Sequence, residues 1–125
     1  MTIRKRPVAV LQLPEQFTRK DARSFTREVE RSMTTTRPYL VLDCSNIRHM
    51  DNSVVRLMLH CLEEAMKRNG NVKLAGIPPA VNPIFGTNGA NRLFEIFDTT
   101  ADAVNSFHEL PFEDLSQADK SESAA

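Results

Sequence analysis

Apolar residues occur in short runs separated by amphipathic stretches, the pattern of strands that alternate with helices. Residues 8–13 predict a first strand that stops at Pro14, because proline cannot donate to a sheet ladder. The run Tyr39–Asp43 is apolar until its last residue, which is typical of a parallel strand buried on both faces. Two later runs, 72–75 and 93–97, predict further strands.

Helical periodicity fills the segments between these runs. Thr18 and Asp21 have the spacing of a capping box, and the apolar stripe after them predicts a helix that ends near Thr34. The strongest helical pattern covers residues 53–68. Gly70 follows directly and is expected to close this helix as its left-handed cap.

Two weaker helices complete the pattern. One starts near Ala80 and is expected to be short or irregular, because Pro83 interrupts its hydrogen bonds. The other starts at Thr99, which has Asp102 three residues later. Strands and helices that alternate at this spacing predict an α/β fold: a single-layer, mostly parallel sheet of about four to five strands covered by four helices.

The composition fits one domain. A chain of 125 residues can bury a core without a disulfide or metal. Its longest apolar run is four residues, so we expect no membrane insertion. The sequence has no apolar leader, which predicts a cytoplasmic location and unbridged Cys44 and Cys61. We expect the domain to cover residues 1–108, with 109–125 as a flexible acidic tail.

The charge is balanced overall, with 16 Lys+Arg and 16 Asp+Glu, but nine basic and four acidic residues fall within residues 1–37. A basic segment raises the question of nucleic-acid binding. Its basic side chains alternate with acidic ones at helical spacing, however, which indicates a solvated helix face. We therefore expect no nucleic-acid partner.

The sequence lacks the motifs of common enzymes. It has no glycine-rich phosphate loop and no nucleophile elbow. Its His and Cys residues do not have zinc-ligand spacing, so we expect no metal or other cofactor. The alternative with a chemical activity is a receiver-like phosphoaspartate domain or small α/β enzyme that uses Asp43 or Asp51. A receiver would need an acidic pair after its first strand to hold Mg²⁺, which residues 13–15 do not provide.

The start of the longest helix is the candidate site. Asp51, Asn52 and Ser53 are three consecutive residues that favour the N-cap position, so one interpretation is that they only begin the helix. The other is a phosphate site. A phosphorylated hydroxyl in this first turn would gain about two negative charges. The helix dipole tolerates these charges there, whereas the neighbouring negative charge of Asp51 repels them.

A second apolar row on this helix suggests a binding surface. The row has i, i+3, i+7 spacing and consists of Val54, Leu57 and Cys61. Either a neighbouring helix covers it, or it forms an exposed patch for a protein partner. We take the exposed patch as the working hypothesis.

These segments resemble the STAS family, whose best-known members are bacterial anti-sigma factor antagonists. The resemblance covers about residues 7–108 and implies the family's α/β fold. The matching stretches include the strand that ends in aspartate and the helix start after it. They are Leu40 to Asp43, Asp51 to Val54, Asn69 to Asn71, Gly89 to Ile96 and Thr99 to Val104.

The resemblance implies a non-enzymatic switch module that binds an anti-sigma factor with serine-kinase activity and is released when phosphorylated. Asp51 matches the family's aspartate, but Asn52 stands where the family has its phosphoacceptor hydroxyl. Ser53 matches only the second hydroxyl, and Val54 replaces a glycine. The family also includes accessory or scaffold subunits of transporters and signalling assemblies, which is the alternative role. A homodimer is also possible under either role.

Overall fold

The computed structural model describes residues 7–108 of the chain. The tail predicted at 109–125 lies outside the described residues. In chain order the elements are β1 Ala9–Gln12, β2 Gln16–Phe17, a 3₁₀ turn Arg19–Asp21, α1 Ala22–Ser32, β3 Tyr39–Asp43, β4 His49–Met50, α2 Asn52–Lys67, β5 Asn71–Ala75, α3 Asn82–Thr87, α4 Ala90–Leu93, β6 Ile96–Phe97 and α5 Thr100–Phe107.

Four parallel strands form one sheet in the order β1-β3-β5-β6. The main core joins one sheet face to helices α1 to α4, and a smaller core joins the other face to α5. Strands β2 and β4 form a separate parallel pair of two residues each. The α/β prediction is confirmed, with five α-helices in the described part of the chain where four were expected. None of those helices is long and apolar enough to cross a bilayer.

Strand β3 lies at the centre of this arrangement. Its predicted bounds are confirmed, and Leu40, Val41 and Leu42 are fully buried. Leu40 and Leu42 belong to the main core, whereas Val41 packs with Ala75 and Ala103 on the α5 side. The strand is therefore buried on both faces, which explains its uninterrupted apolar run.

Both predicted helix starts are confirmed, and the one at Thr18 has both hydrogen bonds of a capping box. The Thr18 side chain accepts from the backbone N–H of Lys20 at 3.4 Å, and the Asp21 carboxylate accepts from the Thr18 N–H at 3.1 Å. The Thr99 hydroxyl accepts from the Asp102 N–H at 3.1 Å. In both cases side chains satisfy backbone donors that have no partner inside the helix.

The strand predicted over 93–97 is mostly wrong. Helix α4 continues to Leu93, and only Ile96 and Phe97 pair with β5. Gly89 takes a left-handed conformation with φ of 74° and turns the chain into α4. The helix predicted near Ala80 begins instead at Asn82 and is short, as expected. Pro83 lies in its first turn, however, where it does not interrupt the helix hydrogen bonds.

The role predicted for Gly70 is also wrong. Asn69, with φ of 63°, is the left-handed residue after α2, whereas φ of Gly70 is not positive. Gly70 is required for a different reason: a Cβ at this position would lie 2.0 Å from the Pro38 carbonyl oxygen. Glycine here allows two backbone segments to approach each other.

Lys73 fastens α5 to the sheet. It is the one charged residue that is buried within residues 7–108, at 6% exposed. Its ammonium donates to the Ser106 hydroxyl at 2.7 Å and lies 3.1 Å from the Glu95 carboxylate. It also lies 4.2 Å from the centre of the Phe107 ring. A buried ammonium needs such partners, because burial without them is costly.

Candidate functional site

The segment from the end of β3 into the first turn of α2, residues 44–56, forms the corner that the sequence singles out. We call it the β3–α2 corner. Two backbone hydrogen bonds join the corner to the segment before β2: the N–H groups of Arg48 and His49 donate to the Glu15 carbonyl at 2.7 and 3.0 Å. The β2–β4 pairing extends this contact. The corner is therefore built on hydrogen-bonded backbone, which fixes where α2 begins.

Asp51 is the N-cap of α2 and also links α2 to the 3₁₀ turn that precedes α1. Its Oδ1 accepts from the Val54 N–H at 3.3 Å and from the Ser53 hydroxyl at 2.6 Å. Its Oδ2 accepts from the Arg19 N–H at 3.2 Å. One carboxylate thus satisfies donors at the beginning of two helical segments. The N-cap interpretation of Asp51 is confirmed.

These donors stabilise the ionised form of Asp51. The Ser53 hydroxyl contributes most to lowering the pKa of the Asp51 carboxyl, and the N–H groups of Arg19 and Val54 act in the same direction. Hydrogen bonds that are made only to the charged form favour ionisation. The corner therefore carries a fixed negative charge at neutral pH.

Asn52 is exposed, and its side chain is hydrogen-bonded to a residue outside α2. Its Oδ1 accepts from the Asn88 side-chain amide at 3.0 Å, and the same amide group donates to the Ile84 carbonyl at 2.8 Å. Asn88 is the C-cap of α3. Asn52, which the sequence resemblance places at the phosphoacceptor position, is therefore linked to the end of another helix. Sequence reasoning missed Asn88, because no local pattern connects residues 36 positions apart.

Ser53 and Arg56 are also accessible residues of the corner. Both side chains are exposed, as is His49 on the preceding strand. The Ser53 hydroxyl is available to solvent while it donates to Asp51. The corner thus presents amide, hydroxyl, guanidinium and imidazole groups as well as the ionised carboxylate of Asp51.

The apolar row Val54, Leu57 and Cys61 is not an exposed patch. Val54 is 1% exposed and Cys61 is 5% exposed, and both belong to the main core. Leu57 is half-buried and packs against the same core. Helix α1 covers this flank of α2, with Val29 and Met33 lining the narrow groove between the two helices. The hypothesis of an exposed row is therefore wrong, and the alternative of a covering helix is what the structure has.

The two cysteines are free and buried. Burial raises the pKa of the Cys44 thiol to about 12, and the negative charge of Asp43 adds to the effect. Burial likewise raises the pKa of Cys61 to about 12, with smaller contributions from Glu64 and Glu30. Both thiols therefore stay protonated and unreactive at neutral pH.

The exposed apolar side chains near α2 lie on its opposite flank. Met66 is 58% exposed and Leu93 of α4 is 62% exposed. Together with Leu59 and Leu62 they line an open groove between α2 and α4. Sequence reasoning missed this groove, because it assigned Leu93 to a buried strand. The turn at Gly89 was the only available signal.

Asp43, the other aspartate considered for phosphoryl chemistry, organises the turn after β3. Its Oδ1 accepts from the Ser45 N–H at 3.0 Å and from the Ser45 hydroxyl at 2.7 Å. The residues described contain no group of three His, Cys, Asp or Glu side chains placed to hold a metal ion. The bonding of Asp43 is accounted for by the turn.

Comparison with known proteins identifies a family whose model matches this chain. The STAS domain family model matches residues 1–103. A comparison with curated protein sequences finds no match.

Several solved structures share the fold. A candidate anti-sigma factor antagonist from Thermotoga maritima is 17% identical, with a TM-score of 0.73 over 82% of this chain and 88% of that one. The anti-sigma factor antagonist SpoIIAA in its unphosphorylated form is 18% identical, with a TM-score of 0.71 over 88% and 94%. The STAS domain of a SulP transporter from Vibrio cholerae is 18% identical, with a TM-score of 0.66 over 92% and 89%.

At these identities the structural likeness establishes the fold, and the fold is common to antagonists and transporter domains alike. The family model covers most of the chain, including β3, the β3–α2 corner and α4. The chain belongs to the STAS domain family.

Proposed function

We propose that this chain is a non-enzymatic, cytoplasmic protein-interaction domain of the partner-switch type. Its partner is an anti-sigma factor with serine-kinase activity, and it binds through the β3–α2 corner. The observation that carries the proposal is the Asp51 carboxylate, which fixes the start of α2 while Asn52, Ser53 and Arg56 stay exposed.

The corner suits docking because it is ordered before a partner arrives. Asp51 links the first turn of α2 to the 3₁₀ turn that precedes α1, and Asn88 links Asn52 to the end of α3. A partner therefore loses less free energy in ordering this surface. The exposed Arg56 guanidinium can pair with a carboxylate, which adds specificity.

Ser53 is the proposed site of regulation, since Asn52 has no hydroxyl to phosphorylate. Phosphorylation would remove the hydrogen that Ser53 donates to Asp51 at 2.6 Å. It would also place about two negative charges beside that carboxylate. Both effects weaken the N-cap and add negative charge to the docking surface, so we expect the modified chain to be released.

Phosphorylation of Ser53 can be tested on the intact chain. After incubation with the kinase-like anti-sigma factor and ATP, we expect the intact mass to gain one phosphate, and S53A to gain none. A phosphate that is also added to S53A would move the regulatory site away from Ser53. A wild-type chain that gains no phosphate would remove regulation by phosphorylation from the proposal.

The docking surface is tested by charge reversal at two exposed arginines. R56E alters the corner, whereas R23E alters the solvent side of α1 and serves as the matched control. We expect R56E to weaken binding of the kinase-like anti-sigma factor about tenfold or more, as loss of a paired interface charge does. R23E should bind like the wild type in the same calorimetric titration. Equal affinities for all three proteins would contradict the assigned surface.

The second candidate function is an accessory or scaffold subunit of a transporter or signalling assembly. The Asn52–Asn88 hydrogen bond favours it, because it occupies the family's phosphoacceptor position with a fixed contact between two helices. Affinity purification of the tagged full chain separates the candidates. Recovery of a transporter or sensor scaffold supports the second one, and recovery of a kinase-like anti-sigma factor supports the first.

A further inference from the structure

Helix α1 presents one row of positive charge to solvent. Arg23, Arg27 and Arg31 follow one another at four-residue spacing, so their side chains lie on the same side of the helix, and all three are exposed. The buried residues of α1 are Phe25 and Val29. Arg27 is two positions from each of them, which places it about 160° around the helix from both. We call Arg23, Arg27 and Arg31 the arginine crest.

The acidic residues near α1 lie on its two flanks instead. Glu28 and Asp21 line a depression between α1 and the end of β1. Glu30 lines the groove between α1 and α2, together with Glu64 of α2. The basic and acidic residues that alternate in the sequence are therefore separated in the fold, into a positive crest with negative charge on both sides.

The arginine crest has no counter-charge of its own. Within residues 7–108 none of its three guanidinium groups makes an ion pair. Other exposed cations of the same part of the chain do: Arg48 lies 4.0 Å from Glu15, and Lys67 and Arg68 each lie 3.2 Å from Glu64. Like charges at four-residue spacing destabilise a helix slightly. An anion from outside the chain would remove this repulsion.

The acidic flanks limit what can bind the crest. Guanidinium groups bind carboxylates and phosphates through paired hydrogen bonds, so both anions have the right chemistry. Glu28 and Glu30 are exposed on opposite sides of the crest, about 160° from each other around the helix. A bilayer surface or a nucleic-acid duplex extends past the crest and would bring its phosphates near these carboxylates. A rod no wider than one α-helix avoids that repulsion.

We propose that the arginine crest docks an acidic α-helix of a partner protein, one that carries Asp or Glu at four-residue spacing and basic residues on both sides of that row. Such a helix repeats the spacing of the crest, about 6 Å along the axis. Its three charge stripes complement those of α1. Exposed ion pairs are individually weak, so the row of pairs as a whole provides the specificity.

The arginine crest is a second surface, distinct from the β3–α2 corner. Arg19 lies four residues before Arg23, but its backbone N–H donates to Asp51, so we leave it out of the crest. The inference does not rest on the kinase-like partner proposed above. R56E should therefore leave binding at the crest unchanged, and R27E should keep the wild-type affinity for the kinase-like anti-sigma factor. An R27E chain that loses this affinity would merge the two surfaces and overturn the assignment of a second one.

An NMR titration of the full chain tests the crest with a defined probe. The probe is a synthetic helical peptide with a row of glutamates at four-residue spacing and lysines on both sides of the row. A peptide of the same composition, with the glutamates spread around the helix, is the control. We expect the first peptide to shift the α1 amide and arginine side-chain N–H signals, and to bind about fivefold more tightly than the control. Equal binding of the two peptides would contradict recognition by charge stripes.

Charge reversal at one position locates the contact. R27E should weaken binding of the striped peptide about fivefold or more, because an attractive pair becomes a repulsive one. R92E makes the same change at an exposed arginine of α4 and is the matched control. It should bind the peptide like the wild type. Equal affinities for R27E and the wild type would overturn the proposal.

Two phosphate-bearing probes test the choice of partner. The same titration is run with a short DNA duplex and with phosphatidylserine vesicles. We expect both to shift the α1 signals less than the striped peptide at equal anion concentration, because Glu28 and Glu30 oppose them. Tighter binding of either probe, lost in R27E, would assign the crest to a phosphate surface and overturn the acidic helix.

The stability of R27E tests whether the crest is unpaired in the free chain. Reversing the middle charge replaces two repulsions with two attractions, so the unfolding equilibrium constant should fall about threefold. Urea denaturation at low salt measures it, and about 1 M salt should remove most of the difference. A rise in the unfolding constant would show that Arg27 has a partner within its own chain, which would contradict an open crest.

Discussion

The two flanks of α2 differ in solvent exposure, and the difference is the opposite of what their sequence suggests. On the α1 side, the regular row that includes Val54 and Cys61 is buried. On the α4 side, Met66 and Leu93 are more than half exposed, although Leu59, Leu62 and Met66 have the same i, i+3, i+7 spacing. Helical periodicity identifies the side chains that share a face, but the neighbouring helix decides which face water reaches. An apolar row is therefore evidence of a binding surface only once its neighbours are known.

The largest effect should come from placing a charge on each flank. V54D puts a carboxylate in a site that is 1% exposed and should destabilise the fold by about 4 kcal/mol, because the charge has no partner there. M66D changes a side chain that is 58% exposed and should stay within about 0.5 kcal/mol of the wild type. Urea denaturation measures both. Equal losses would erase the difference between the flanks.

Thiol reactivity sharpens the comparison. Burial raises the pKa of Cys61 to about 12, whereas an exposed cysteine has a pKa near 8.5, so at about pH 8 its thiolate fraction is roughly 10³-fold lower. M66C should therefore react with iodoacetamide at the rate of a free thiol, while Cys61 reacts only on unfolding. Peptide mass mapping identifies the labelled residue, and rapid native labelling of Cys61 would show that α1 leaves this flank open.

The contribution of Asp51 to stability can be measured by removing its carboxylate. D51A removes the N-cap of α2 and its bond to Arg19, and should cost about 1–2 kcal/mol. The pKa of Asp51 is lowered in the folded chain, so its contribution is present above its ordinary value of 3.8 and is lost as the pH falls below it. The difference between wild type and D51A should therefore shrink between about pH 5 and pH 2. A difference that is constant with pH would contradict the hydrogen bonds assigned to the carboxylate.

The smallest effect is expected on the exposed ridge between the flanks. Glu63 lies 3.8 Å from His60, and both side chains are more than half exposed. E63A should change stability by less than about 0.5 kcal/mol, since exposed ion pairs contribute little. A larger loss in thermal denaturation would indicate that the ridge takes part in packing.

Much of the fold could be predicted from the sequence where local chemistry determines it. The bounds of β3 followed from its apolar run, and the helix starts at Thr18 and Thr99 followed from capping. The exposed state of Leu93 and the role of Gly70 depend instead on contacts with distant residues. Pro38, which approaches Gly70, is 32 positions away along the chain. No periodicity reports such a contact.

The candidate site divides in the same way. Asp51 as N-cap and Ser53 as an exposed hydroxyl were evident from local sequence. The bonds from Asp51 to Arg19 and from Asn52 to Asn88 were not, because they join separate elements. Those two bonds make the corner a fixed surface, which a list of N-cap residues does not imply.

The most direct test of the account is a hydrogen-exchange footprint of the full chain with and without the kinase-like anti-sigma factor. We expect slower exchange at the start of α2, from residue 52 to residue 58, and no change in α1. Protection confined to α1, with residues 52–58 unchanged, would contradict the β3–α2 corner as the docking surface.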